Sequence, residues 1–104
     1  MEHRRLRTCI LDPADRYLKG LPSADQVKIA AAITLLLDNE RAAVRTKQLK
    51  GPVRELITGH HRITYFKLGD VLYFVRGFRK KTQKVPRKEV EYAENVYKRI
   101  SDKK

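Results

Sequence analysis

The sequence contains one cysteine, Cys9, and no tryptophan among its 104 residues. A lone cysteine cannot form an intrachain disulfide, and it excludes a zinc site built on several cysteines. The chain also lacks any run of about 18 apolar residues, the length that a membrane-spanning helix needs. Its N-terminus lacks the apolar core of a signal peptide. We therefore predict a cytoplasmic protein with one domain over residues 1–104, of which residues 101–104 form a frayed tail.

Acidic residues are few and scattered, so no carboxylate cluster of the metal-binding kind is present in the sequence. His60 and His61 are adjacent, and neighbouring side chains on an extended segment point in opposite directions. Ser23 is assigned to a helix start and Ser101 to the tail, which disfavours a Ser-His-Asp nucleophile. We predict that the protein uses neither a metal ion nor another cofactor.

Positive charge is abundant and is concentrated in the second half of the chain. Lys and Arg number 24 against 12 Asp and Glu, for a formal net charge of +12. Residues 53–104 carry fourteen basic and six acidic side chains. The stretch RGFRKKTQKVPRK, residues 76–88, holds seven Lys or Arg and no acid, and it follows the apolar run VLYFV. The positive electrostatic field of so many basic residues predicts a polyanionic partner.

The first half of the chain has the pattern of one strand and two helices. Residues 5–11 alternate as a strand, and residues 14–19 form a short helix that ends at Gly20. Ser23 and Gln26 have the spacing of a capping box, which predicts the start of a longer helix. Its predicted apolar face comprises Val27, Ile29, Ile33, Leu36 and Leu37.

From Val53 the pattern changes to β-branched and aromatic runs. VRELIT, RITYFKL and VLYFVRGF predict three antiparallel strands, with a tight turn at Gly69 and Asp70. Pro86 then precedes a helical stripe that includes Val90, Ala93 and Val96. The predicted order is strand, two helices, a three-strand meander and a C-terminal helix. This is an α+β fold with the helices on one face of an antiparallel sheet.

Cationic side chains can cleave RNA without a metal ion. The ribose 2′-OH attacks its own phosphodiester when a base removes its proton, cations stabilise the developing charge, and an acid protonates the leaving 5′-oxygen. A lysine among other cations can act as the base, while arginine offers a planar fork to phosphate oxygens. The residues alone also allow a second interpretation, in which the basic loop is solvated and only attracts nucleic acid.

The block from residue 47 to residue 97 resembles the RelE/ParE toxin superfamily, and in particular its HigB-like, phage-related branch. KQLKG precedes the sheet, REL lies on the second strand, HRITYF on the third, and GFRKKTQKVP leads into a helix. The resemblance implies a RelE-like fold and a toxin of a type II toxin–antitoxin system. It also implies a metal-independent mRNA endonuclease that acts on the ribosome, neutralised by a cognate antitoxin with a helix-turn-helix DNA-binding domain.

The resemblance also assigns roles to individual residues. It implies that Arg62 contacts the scissile phosphate and that Arg79 and Lys81 stabilise charge or transfer protons. Phe78 and Tyr65 match aromatic positions that belong to the core more often than to base stacking. The predicted RNA-binding residues are Lys47, Lys50, Arg54, His60, Arg76, Lys80 and Lys84.

Three positions depart from the family pattern. Ile57 follows Glu-Leu where relatives often have Arg, and Arg76 precedes Gly-Phe where many relatives have His. The tyrosine that acts as general acid in some members falls near Val85. The candidates for that acid are Lys81, Gln83 and His60.

Two other functions stay open at this point. A ParE-like protein would poison DNA gyrase by binding, without nuclease activity, and a non-catalytic module would bind RNA or the ribosome. The basic loop favours RNA over gyrase because a gyrase poison has no evident need for so many cations beside the sheet.

Overall fold

A computed structural model describes residues 5–103 and shows a five-stranded sheet with helices on both faces. Its elements are β1 (Arg7–Ile10), α1 (Asp12–Lys19), α2 (Ser23–Leu37), a 3₁₀ turn (Arg41–Ala43), β2 (Arg45–Lys50), β3 (Val53–Thr58), β4 (His61–Leu68), β5 (Val71–Arg79) and α3 (Arg87–Ser101). Residue 104 of the predicted tail lies outside the described residues, and residue 101 is the last residue of α3. Within the described range, no helix has the length and apolarity to cross a membrane.

The strands are ordered β1-β5-β4-β3-β2 across the sheet. Strands β2 to β5 form an antiparallel meander, whereas β1 pairs with β5 in parallel. The α+β class is confirmed, but the sheet is mixed and contains one strand more than the sequence predicts. The missed strand, β2, reads RTKQLK and lies at the sheet edge, so it lacks the apolar alternation by which strands are recognised.

The helices lie on both faces of the sheet, so the prediction of a single covered face is wrong. On one face, α1 and α2 pack over a core that includes Ile29, Ile63 and Phe74. On the other face, α3 packs through Ala93 over Phe66 and other buried residues. Strand β4 is buried almost continuously from its first residue, as expected of a strand covered on both sides.

Helix α2 differs in two details from its predicted form. Pro22 occupies the cap position and no side chain caps the first turn, so the predicted Ser23 capping box is wrong. Gln26 instead donates from Nε2 to the Leu21 carbonyl at 2.8 Å. Val27, predicted to face the core, is 67% exposed, while the other four apolar positions of the predicted face are buried.

Two glycine turns connect the strands of the meander at opposite ends of the sheet, and only the first lies at the functional end. Gly59 has φ 59° in the turn between β3 and β4, and Gly69 has φ 64° in the predicted turn between β4 and β5. Only glycine adopts this left-handed conformation without a steric cost. The first turn presents His60 beside the end of β5.

Candidate functional site

A cationic pocket of about 510 Å³ lies where the β3–β4 turn meets the chain leaving β5. We call it the basic pocket; it is lined by His60, Arg62, Lys80, Lys81, Thr82 and Gln83. The Lys80 backbone N–H donates to the His60 carbonyl at 2.8 Å, which extends the sheet ladder and joins the two segments. No acidic side chain lines this pocket among the described residues. The arrangement therefore attracts anions and can surround a phosphate group.

Arg62 is held in a fixed orientation on β4. Its Nη1 donates to the Gly59 carbonyl at 2.8 Å and to the His61 carbonyl at 3.1 Å. Its Nε lies 3.7 Å from Oε1 of Glu55, a fully buried carboxylate on β3. The Arg62 side chain is only 12% exposed, yet it reaches the pocket lining. A buried partner and two carbonyls thus orient this guanidinium before any ligand arrives.

The basic loop that follows β5 is more exposed. Lys81, Thr82, Gln83 and Lys84 are all exposed, and Thr82 Oγ1 donates to the Lys84 carbonyl at 2.8 Å. Lys81 lines the pocket, whereas Lys84 does not. The pocket therefore combines one rigid cation from the sheet with cations from a surface loop.

Arg79, the third predicted catalytic residue, faces the other side of the sheet. It pairs with His61 in the β4–β5 register, so both side chains lie on the face covered by α1 and α2. Lys80, one residue later, lines the basic pocket. Arg79 and Lys80 therefore point to opposite faces, while Lys81, in the loop beyond the end of β5, lines the pocket and Arg79 does not.

A chain of polar groups next to Arg79 has no counterpart in the predicted site. The Tyr17 hydroxyl and Nδ1 of His61 share a hydrogen bond of 2.6 Å, and Nε2 of His61 lies 3.4 Å from Oδ2 of Asp25. Burial raises the pKa of the Tyr17 hydroxyl above its ordinary value; nearby Arg79 lowers this pKa and Asp25 raises it further. The three residues come from α1, β4 and α2. No local sequence pattern could have revealed contacts between residues so far apart in the chain.

Two predicted RNA-binding residues contact α3. Arg76 Nε lies 3.3 Å from Oε1 of the buried Glu89, and its guanidinium lies 5.0 Å from the centroid of the Tyr92 ring. Lys50 Nζ lies 3.8 Å from Oε1 of Glu94. These contacts attach α3 to the sheet.

The remaining predicted residues are distributed as follows. Lys47 and Arg54 are among the residues that line a different groove, of about 1050 Å³ beside the C-terminal end of α2, which we call the α2 groove. Lys47 pairs with Glu55 in the β2–β3 register, so its side chain lies on the sheet face opposite Arg54. The ring of Tyr65 is buried and stacks on Phe74, with centroids 5.6 Å apart, so it belongs to the core. Phe78 pairs with Arg62 across β5 and β4 and is partly exposed. Of the ten predicted site residues, the basic pocket brings together His60, Arg62, Lys80 and Lys81.

Metal chemistry has no evident location in the described part of the chain. Within residues 5–103, no group of three or more His, Cys, Asp or Glu side chains is placed to hold a metal ion. The chemistry available in the basic pocket is cationic stabilisation and proton exchange through imidazole or ammonium groups.

Several solved structures share this fold. The archaeal RelE–RelB complex from Pyrococcus horikoshii OT3 aligns with a TM-score of 0.63 at 18% identity, covering 72% of this chain and 94% of that one. The RelB–RelE antitoxin–toxin complex from Methanococcus jannaschii aligns with a TM-score of 0.59 at 19% identity, covering 79% and 93%. The toxin–antitoxin complex RelBE2 from Mycobacterium tuberculosis aligns with a TM-score of 0.60 at 15% identity, covering 76% and 95%. The fold is therefore RelE-like, which confirms the fold that the sequence resemblance implies.

The family can be stated more narrowly. Residues 16–98 match the family described as phage-derived protein Gp49-like. This range includes the whole of α2 and of β2 to β5 and most of α3, so the chain belongs to the Gp49-like family. No curated protein matches the sequence.

Proposed function

We propose that this protein is the toxin of a type II toxin–antitoxin system and that it cleaves mRNA on the ribosome without a metal ion. Membership of the Gp49-like family and the RelE-like fold support the toxin class. The observation that carries the proposal is the basic pocket, in which a preorganised arginine meets loop lysines with no lining carboxylate. Its place of action is the cytoplasm, where mRNA and ribosomes are found.

The proposed reaction is transesterification within the RNA. The ribose 2′-oxygen bonds to phosphorus, the 5′-oxygen leaves, and a cyclic phosphate and a 5′-hydroxyl remain. Arg62 binds a non-bridging phosphate oxygen through Nη2, because its Nη1 donates to two carbonyls and its Nε faces Glu55. Lys80 and Lys81 stabilise the added negative charge, and the His60 imidazole, which lines the pocket, exchanges a proton with the reacting oxygens.

Arg79 has a different part in this proposal from the one that the resemblance implies. Its register partner is His61, on the face opposite Lys80, and its charge is felt by Tyr17. We assign Arg79 to long-range attraction of RNA, and Lys81 to the pocket itself.

The proposed protein partner is an antitoxin with a helix-turn-helix domain. The three structural relatives named above are all toxin–antitoxin complexes. Co-expression of the gene adjacent to that of this protein should abolish its toxicity and give a stable complex. Toxicity that no neighbouring gene relieves would count against the two-gene arrangement.

Primer extension on mRNA translated by purified ribosomes tests the activity. The wild-type protein should produce discrete cleavages, whereas Lys81→Gln should reduce them and Lys28→Gln should not, because Lys28 is exposed on α2 away from the pocket. Supercoiling by purified gyrase, measured in parallel, should be unaffected. If gyrase is inhibited and the transcripts stay intact, the protein is a ParE-like gyrase poison. If the transcripts stay intact and gyrase stays active, the protein is only a binding module.

A further inference from the structure

One aromatic side chain, Phe78 on β5, lies outside both hydrophobic cores of the described residues. The structure describes every Tyr and Phe of the chain, and each of the others contacts a second ring or an arginine. The Phe78 ring has no such partner within residues 5–103, and it is partly exposed. A single exposed ring is common on protein surfaces, so its neighbours decide what it can do.

The neighbours of Phe78 belong to the basic pocket. Phe78 is directly opposite Arg62 in the β4–β5 register, and such a pair holds its Cβ atoms about 4.5–5.5 Å apart. Lys80, two residues further along the chain, lines the pocket together with Arg62. Arg76, two residues earlier and on the same face, contacts Glu89 of α3. The ring therefore lies at the rim of the pocket, on the face of the sheet that α3 covers.

The lining of the basic pocket supplies charge without an apolar platform. Its side chains offer guanidinium, ammonium, imidazole, hydroxyl and amide groups, which suit phosphate and sugar oxygens. Sites for single-stranded nucleic acid combine such cations with aromatic side chains, because an unstacked base exposes two apolar faces. Phe78 provides this second component beside the cations. RNA held in the pocket can therefore place a base on the ring without a separate site.

From this arrangement we infer that Phe78 is a stacking platform for a base next to the phosphate that Arg62 holds. The inference rests on the proposed RNA substrate and adds a base subsite to the phosphate site. A base fixed on one strand and a phosphate fixed on the neighbouring strand restrain the sugar between them, which aligns the 2′-oxygen with phosphorus. Every base has an aromatic face, so Phe78 detects that a base is present without selecting which one.

Fluorescence anisotropy with two short single-stranded RNAs tests the stacking role. Both strands carry the same number of phosphates and have 2′-O-methyl groups, which prevent cleavage, but one strand lacks its bases. The wild-type protein should bind the base-bearing strand about tenfold more tightly, and Phe78→Leu should reduce this preference to about twofold. Both proteins should bind the abasic strand equally, because the phosphate contacts are unchanged. Phe78→Trp keeps an aromatic ring and should keep the preference.

Phe74→Leu is the matched control on the same strand. Phe74 is fully buried and its ring stacks on Tyr65, so this substitution disturbs the core. It should lower the melting temperature more than Phe78→Leu does. The folded Phe74→Leu protein should still prefer the base-bearing strand about tenfold, since the rim of the pocket is unchanged.

Two results in the binding experiment overturn the inference. The first is a preference for bases that is missing in the wild-type protein or persists in Phe78→Leu. The second is an equal loss of preference in Phe78→Leu and Phe74→Leu, which would give Phe78 a structural role only. Cleavage of mRNA on ribosomes is measured separately. Base preference that depends on Phe78, in a protein that cleaves no mRNA, would support the stacking platform and refute the proposed endonuclease.

Discussion

At the level of single residues, Arg62 combines an ion pair within the sheet with a place in the basic pocket. It approaches the buried Glu55 and also lines the basic pocket. A guanidinium has several donors, so with Nε facing Glu55 and Nη1 donating to the Gly59 and His61 carbonyls, Arg62 keeps Nη2 for a phosphate. The contact with Glu55 therefore supports a binding role for Arg62 by fixing its direction. A buried carboxylate such as Glu55 also requires a cation close by.

Substitution of Arg62 by Lys separates catalysis from charge. Lysine keeps the positive charge near Glu55 but loses the planar fork, so cleavage of ribosome-bound mRNA should fall by on the order of 10² to 10³. RNA affinity and melting temperature should stay near the wild-type values, which would show that the variant is folded and still attracts RNA. Normal cleavage by this variant, or a loss that accompanies unfolding, would remove Arg62 from the proposed active site.

The Tyr17 hydroxyl predicts a pH dependence of stability. Burial raises its pKa in the folded protein above the ordinary value of 10.0, so the folded state holds this proton more tightly than the unfolded chain does. The resulting stabilisation is complete below pH 10 and is lost as pH rises through the higher folded-state pKa. Chemical denaturation from neutral pH to about pH 11 should show a steeper decline for wild type than for Tyr17→Phe. Parallel curves for the two proteins would contradict this.

At the level of elements, the contact between α1 and β5 depends on a residue without a side chain. A Cβ at Gly77 would lie 2.6 Å from Cγ of Tyr17 and 3.0 Å from Cδ1 of Ile63. The Tyr17 ring can therefore lie directly on the strand and bring its hydroxyl to His61. The contact with the Tyr17 ring therefore explains why the residue before Phe78 in the GF motif is glycine.

Gly77→Ala should consequently lower the free energy of unfolding by roughly 1–3 kcal/mol, the usual cost of overpacking. Gly20→Ala is a suitable control, since a Cβ there meets only backbone oxygens at 3.6 Å, an ordinary contact distance. Urea denaturation measures both. In a Tyr17→Ala background the cost of Gly77→Ala should largely disappear, because the two substitutions share one contact. An unchanged cost in that background would locate the strain elsewhere.

The elements also show what local patterns can and cannot predict. Strands β3, β4 and β5 and helices α2 and α3 were predictable because burial gives them a strong apolar pattern. The edge strand β2 and the exposure of Val27 were not, since both depend on neighbours far away in the chain. The parallel pairing of β1 was likewise hidden, because a single strand does not reveal the direction of its partner.

The residues of the candidate site also divide into those that a local sequence pattern reveals and those that depend on distant parts of the chain. His60, Arg62, Lys80 and Lys81 were found because the basic stretch and the family motif are local in sequence. The alternation that turns Arg79 away from Lys80 depends on where β5 ends, which the motif does not specify. The Tyr17–His61–Asp25 chain joins three elements and has no sequence pattern of its own.

For the molecule as a whole, the excess charge is arranged as two separate basic surfaces. One is the basic pocket at the end of β5, and the other is the α2 groove near the β2 edge. A formal net charge of +12 attracts any polyanion at low salt, so affinity alone cannot identify which surface holds RNA. The number of phosphates that each surface neutralises is the distinguishing quantity, because it determines the dependence of affinity on salt.

Salt dependence of single-stranded RNA binding therefore provides a test at this scale. If the basic pocket and its loop neutralise roughly four to six phosphates, log K against log salt should have a slope of about −3 to −4. Replacing Lys80 and Lys84 together by Gln should reduce the steepness by roughly one to two, since each removes at most one phosphate contact. The matched pair Arg41→Gln, Lys67→Gln removes the same charge from the α2 groove and should leave the slope unchanged. Equal changes for both pairs would mean that RNA spreads over the whole cationic surface, and a flat response in wild type would exclude electrostatic binding of RNA.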